Sequence, residues 1–111
     1  MPIVSESDLV AAVTRDRAAG KRIALAAACF DVLGVSDVRA LQAAASGADR
    51  LVVAVLDDEA VRRKLGEGRP VVRLEDRVEI VNDIRGVDYV IVCTHAGVDR
   101  LASILAPDVR A

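Results

Sequence analysis

The sequence is nearly without aromatic residues: Phe30 and Tyr89 stand alone, and tryptophan is absent. Proteins that hold single-stranded nucleic acid stack successive bases on exposed rings, so this scarcity argues against that class. An excess of charge of one sign is also missing. Lysine and arginine number 15 against 17 aspartates and glutamates, and no block of like charge offers a nucleic-acid arm or a polybasic membrane patch. No nucleic acid and no membrane is expected as a partner. The longest apolar run, Ile23 to Phe30, falls well short of the roughly 20 residues that cross a bilayer. No charged segment followed by an apolar signal core opens the chain, so a cytoplasmic location is expected. Cysteine is limited to Cys29 and Cys93, without C-x-x-C spacing, which argues against a disulfide framework and a structural zinc site.

What remains is aliphatic and charged. With 53% apolar residues in 111, the chain can fill one core of Ala, Val, Leu and Ile, and residues 1–111 are expected to form a single domain.

The apolar residues fall into two alternating patterns. Leu9, Val10 and Val13 follow the capping hydroxyls of Ser5 and Ser7 at helical spacing until Gly20. Arg22 to Phe30 is apolar without alternation, as in a strand covered on both faces of a parallel sheet. Ser36 is read as the cap of a helix whose inner stripe is Val38, Leu41 and Ala45, and Leu51 to Val55 as a second buried strand. Asp57 and Asp58 open a short helix facing inward through Val61 and Leu65, which Gly66 ends. Leu74, Val78, Val81 and Ile84 mark another helix, and Asp88 to Cys93 a third strand. Val98, Leu101, Ala102 and Leu105 give a last helix closed by Pro107, with Val109 opening a further strand. Strands alternating with helices through short loops predict a Rossmann-like, three-layer α/β/α fold with a parallel sheet. In such a sheet the ligand crevice lies beyond the carboxyl ends of the strands, here residues 28–37 and 93–97.

Several segments, taken in order, resemble the cytidylyltransferase-like nucleotidyltransferase superfamily. They are Cys29-Phe30-Asp31-Val32-Leu33, Asp49-Arg50-Leu51-Val52-Val53-Ala54-Val55, Gly68-Arg69-Pro70-Val71, Leu74-Glu75-Asp76-Arg77, Val87-Asp88-Tyr89-Val90 and Pro107-Asp108-Val109. The likeness runs from Val4 to Val109, above all to the adenylyltransferase domain of ADP-heptose synthases, and more distantly to glycerol-3-phosphate cytidylyltransferase. It implies a nucleotidyltransferase-like fold and a reaction joining a nucleoside triphosphate to a phosphorylated sugar or alcohol. Catalysis of that kind is largely placement and stabilisation of phosphate charge.

In the family a His-x-Gly-His motif carries that task, and here it falls on Gly34-Val35-Ser36-Asp37. The two histidine positions hold Gly34 and Asp37, so no catalytic residue is expected. A carboxylate at position 37 opposes a triphosphate: at about 4 Å and an effective dielectric near 20, each like charge costs about 4 kcal/mol before screening. The family's Thr-Asn-Gly before Cys-Phe-Asp is Ala26-Ala27-Ala28 here, and the Lys-Gly-Gly-Asp that follows Pro-Asp-Val in the family is expected to be lost as well.

Candidate nucleotide- or anion-binding residues are Cys29, Phe30, Asp31, Ser36, Arg69 and Arg77. Each has a plainer reading. Asp31 either lines a ligand cleft or anchors its turn. Arg69 and Arg77 either grip an anion or pair with Glu67, Glu75 or Asp76. Ser36 presents helix amides to a phosphate or only caps, and Lys64 lies one position from the family's loop lysine. Cys29 and Cys93 end strands that the resemblance places side by side, with His95 just beyond; against a metal or redox site there, the favoured reading is two small buried thiols and a solvent-facing loop histidine.

The expectation is a pseudoenzyme acting as a binding, regulatory or assembly module, with no cofactor. It would form a homodimer or pair with an active homologue, with a nucleotide or phosphorylated small molecule as ligand. The alternative is an active nucleotidyltransferase using a modified site, which alone would call for Mg²⁺ at Asp37. A weaker third reading is an anion sensor using the same crevice.

Overall fold

The computed structural model describes residues 4–111. A four-stranded sheet is formed by β1 (Ile23–Ala28), β2 (Arg50–Leu56), β3 (Tyr89–Cys93) and β4 (Val109–Arg110). The strand order is β3-β2-β1-β4, and every pairing is parallel. Helices connect them: α1 (Glu6–Ala18) leads in, α2 (Val35–Ser46) joins β1 to β2, α3 (Asp58–Leu65) and α4 (Leu74–Asn82) join β2 to β3, and α5 (Gly97–Leu105) crosses to β4. This is the expected Rossmann-like fold.

Side chains of a strand alternate between sheet faces, so a strand covered on both sides shows no alternation in its sequence. β2 illustrates this. Val52, Ala54 and Leu56 pack with Leu9, Val13, Val61 and Leu101 on the face covered by α1, α3 and α5. Leu51, Val53 and Val55 pack with Leu41, Ala44, Val78 and Val81 on the face covered by α2 and α4. The small Ala24 and Ala26 of β1 lie on this second face, opposite α2.

Strand starts share one device that the sequence reading passed over. The carboxylates of Asp49, Asp88 and Asp108 accept the backbone N–H of Arg22, Leu51 and Ile23, each at 2.8 Å. Each aspartate's own N–H donates back to the carbonyl of the residue it holds, so every strand pair is closed at its amino end by two bonds. The recurring signal is an aspartate one residue before β2, β3 and β4. The backbone bond from Ile23 and the nearby Arg17 guanidinium outweigh burial and hold Asp108 below the usual carboxylate range.

Two local expectations are corrected. Gly34, not Ser36, is the N-cap of α2, and Ser36 sits exposed in the first turn. Leu65 is 44% exposed rather than inward, because α3 contributes only Ala60 and Val61 to the core. As expected, α5 stops just short of Pro107: Ala106 takes a left-handed conformation (φ 45°), and Arg17 donates to the orphan carbonyls of Leu105 and Ala106.

Candidate functional site

β1 leaves the sheet through Cys29, Phe30 and Asp31. Phe30 has φ 52°, a left-handed turn that sends its ring into the core between α2 and the sheet. The same turn aims Asp31 at the loop before α4. Its carboxylate accepts the N–H of Val71 at 2.9 Å and of Val72 at 2.8 Å, together with Nε–H of Arg69. Asp31 is 4% exposed. Burial works against its charge, but the Val72 and Val71 amides and the Arg69 guanidinium overcome it, so the carboxyl lies below the usual range. Asp31 therefore meets the Gly68-Arg69-Pro70-Val71 segment as an anchor for that loop.

Arg77 performs a similar task more deeply. Its side chain is fully buried (0% exposed) at the start of α4. Nη1 donates to the carbonyls of Cys29 (2.7 Å) and Leu56 (2.6 Å), Nε to Val72 (3.0 Å) and Nη2 to Asp58 (2.6 Å). One guanidinium thus ties together the carboxyl ends of β1 and β2, the start of α3 and the loop before α4. The ion pairs expected for Arg69 and Arg77 with Glu67, Glu75 or Asp76 are replaced by Arg69–Asp31 and Arg77–Asp58, while Arg73 lies near both Glu75 and Asp76. Asp58 escaped notice as a partner because it sits 19 residues away in sequence.

Gly34 and Asp37 face each other at the start of α2. The Gly34 N–H donates to Oδ2 of Asp37 at 2.9 Å, the return arm of a capping box; glycine has no side-chain oxygen for the other arm. The carboxylate thereby satisfies a backbone donor and complements the positive end of the helix.

The strand order reverses between β1 and β4, and that is where a slot opens. Its volume is about 110 Å³, lined by Ala26, Ala27, Ala28, Phe30 and Leu41, with Asp37 as its charged group. The expected crevice shared by residues 28–37 and 93–97 is not one space. β2 lies between β1 and β3, so residues 94–96 border a separate hollow of about 260 Å³ with Asp57, Glu59 and Arg63. For the same reason Cys29 and Cys93 do not end adjacent strands. Burial, with Glu6 and Asp57 nearby, pushes the Cys93 thiol up, which keeps it protonated. His95 and Lys64 are exposed, and among the described residues no cluster of His, Cys, Asp or Glu is arranged to hold a metal.

A parallel α/β sheet of this order, with its slot at the reversal of strand order, defines an α/β protein of the nucleotidyltransferase-like kind. Residues 25–110 match the family described as Cytidylyltransferase-like, and the chain belongs to that family. It is 38% identical over 107 residues to a bifunctional protein HldE of Alkalilimnicola ehrlichii, covering 96% of this chain and 22% of the relative. A bifunctional protein HldE of Shewanella sediminis is 39% identical over 105 residues, covering 95% and 22%. The chain thus spans about a fifth of the length of these relatives. Among solved structures, the lipopolysaccharide core biosynthesis protein from Thermoplasma volcanium shares the fold with a TM-score of 0.72. The two are 23% identical, over 82% of this chain and 73% of that one.

Proposed function

We propose that this chain is a catalytically silent member of its family, kept as a binding, regulatory or assembly module in the cytoplasm. The observation that carries this reading is the Gly34–Asp37 pair. At the two positions where the family's histidines would meet phosphate oxygens, one residue has no side chain and the other is a carboxylate hydrogen-bonded to it. A preorganised donor gains its catalytic effect by standing where negative charge develops, and a carboxylate there acts in the opposite sense. The alanine-lined slot, whose charged group is the carboxylate of Asp37, and the internal engagement of Asp31 and Arg77 support the same reading.

The alternative is nucleotidyl transfer of the kind the name ADP-heptose synthase describes, through a modified site with Mg²⁺ at Asp37. There Mg²⁺ would bind through Asp37 Oδ1 or compete with the Gly34 N–H for Oδ2. Incubation with ATP or CTP and sugar phosphates, read as pyrophosphate release, tests the proposal: no turnover above background is expected, and steady turnover overturns it. Calorimetry with nucleotide and Mg²⁺ addresses the alternative directly, which fails if no metal-dependent binding heat appears.

A further inference from the structure

The slot at the reversal of strand order has an apolar lining, Ala26, Ala28 and Ala40 with Phe30 and Leu41, and Asp37 is the one charged side chain that borders it. Asp37 is half-buried, and its two carboxylate oxygens are unequally engaged. Oδ2 accepts the Gly34 N–H at 2.9 Å, whereas Oδ1 has no hydrogen-bond partner among the described residues. No cationic side chain pairs with either oxygen among those residues. A carboxylate beside an apolar wall loses part of its hydration, and a charged donor is the group that compensates it best.

Charge and lining together select the occupant. A helix N-terminus ordinarily attracts an external anion, but at α2 the chain supplies its own anion in Asp37, which opposes another. A divalent metal ion takes about six oxygen ligands, and beyond Asp37 the residues that line the slot offer no side-chain oxygen. An organic cation with an apolar body meets both conditions: its charge answers the carboxylate, and its body displaces water from the alanine and leucine walls. Volume sets the size of that body. An engineered apolar cavity of about 150 Å³ holds a benzene ring. At about 110 Å³ the slot has room for a chain of about four carbons.

We propose that this slot binds a small primary alkylammonium ion, with the ammonium hydrogen-bonded to Asp37 Oδ1 and the alkyl chain against Ala28, Ala40 and Leu41. An ammonium group carries several N–H donors. One meets Oδ1, and the half-exposed position of Asp37 leaves the others open to water, so no donor is buried without an acceptor. The carboxylate that opposes phosphate at position 37 thus favours the opposite charge, while the small walls limit the length of the chain. This names the ligand class for the binding reading above and rests on that reading.

Calorimetry of the whole chain with n-butylammonium chloride, at fixed pH and ionic strength, is the test. Saturable binding with a dissociation constant of about 1 mM or below is expected, and no binding up to about 20 mM overturns the proposal. n-Butanol has the same body without the charge and should bind at least about tenfold more weakly; equal affinity sinks the idea as well. Asp37→Asn keeps an oxygen for the Gly34 N–H but removes the charge, and should weaken amine binding by about tenfold or more. Ala40→Leu, at an exposed position of α2, fills the slot and should do the same. Circular dichroism checks that each variant is folded, and Asp37→Asn decides alone if Ala40→Leu is not. Unchanged affinity in a folded variant, or displacement of the amine by Mg²⁺ at equal concentration, rules the proposal out. Pyrophosphate release on the same samples separates the two readings: an inactive chain that ignores the amine removes the slot proposal alone, and turnover removes the non-catalytic reading.

Discussion

Arg77 shows how a single charged side chain is accommodated in an aliphatic interior. Burying a guanidinium is tolerated only when its donors are answered, and here three backbone carbonyls and Asp58 answer them. Replacing it with methionine keeps much of the volume but leaves the carbonyls of Cys29, Leu56 and Val72 without that donor. Arg77→Met is therefore expected to lose about 3–5 kcal/mol in urea denaturation. A loss below about 1 kcal/mol would mean that water replaces the donors and that Arg77 is not the tie described. Asp31 gives a pH-dependent counterpart. Its folded carboxyl ionises below its ordinary value, so just under that value the unfolded chain holds the proton more firmly. Its stabilising contribution is full above the ordinary carboxylate pKa of about 4 and is lost as pH falls through the folded value. Asp31→Asn should lower stability at neutral pH and flatten its decline in acid, measured as the urea midpoint at successive pH values. An unchanged acid slope would show that other carboxylates, Asp108 among them, account for the acid sensitivity.

At the scale of elements, the start of α2 separates capping from mere proximity to a helix end. Asp37 accepts the Gly34 N–H, whereas Ser36 lies in the first turn with its side chain exposed. Asp37→Ala should therefore cost about 0.5–2 kcal/mol, and Ser36→Ala should stay within about 0.5 kcal/mol, both read by thermal unfolding. Equal costs would return the capping role to Ser36. The reason the sequence misleads here is local. Serine is a favoured cap and Gly34 offers no side chain, so residue preference points two positions too far along. Strands and helices themselves are legible, because Leu51 to Val55 can be apolar without interruption only if both faces are covered. The partners of Arg69 and Arg77 are not legible, since they depend on which loops the strand order gathers at one end of the sheet. The same holds for Cys29 and Cys93: each is correctly read at a strand end, yet only the order β3-β2-β1-β4 reveals that β2 separates them.

For the whole molecule, the sheet is what joins the two core layers. Alternate residues of β1, β2 and β3 belong to opposite layers, so neither layer can lose its packing while the strands stay in place. The aspartates at the amino ends and Arg77 at the carboxyl ends hold the strands to one another. We therefore propose that residues 4–111 unfold as one cooperative unit. Tyr89 makes this measurable, because with no tryptophan in the chain it dominates the intrinsic fluorescence. It packs against the layer of α1, α3 and α5, and its hydroxyl donates to Asp16 of α1 at 2.7 Å. Far-ultraviolet circular dichroism instead reports all five helices across both layers. The two signals should trace one urea transition with a common midpoint and slope. If the Tyr89 signal changes first, the layer of α1, α3 and α5 detaches before the rest. That order would mean the strand ties do not couple the layers, and that α2 and α4 with their sheet face persist as a separate unit.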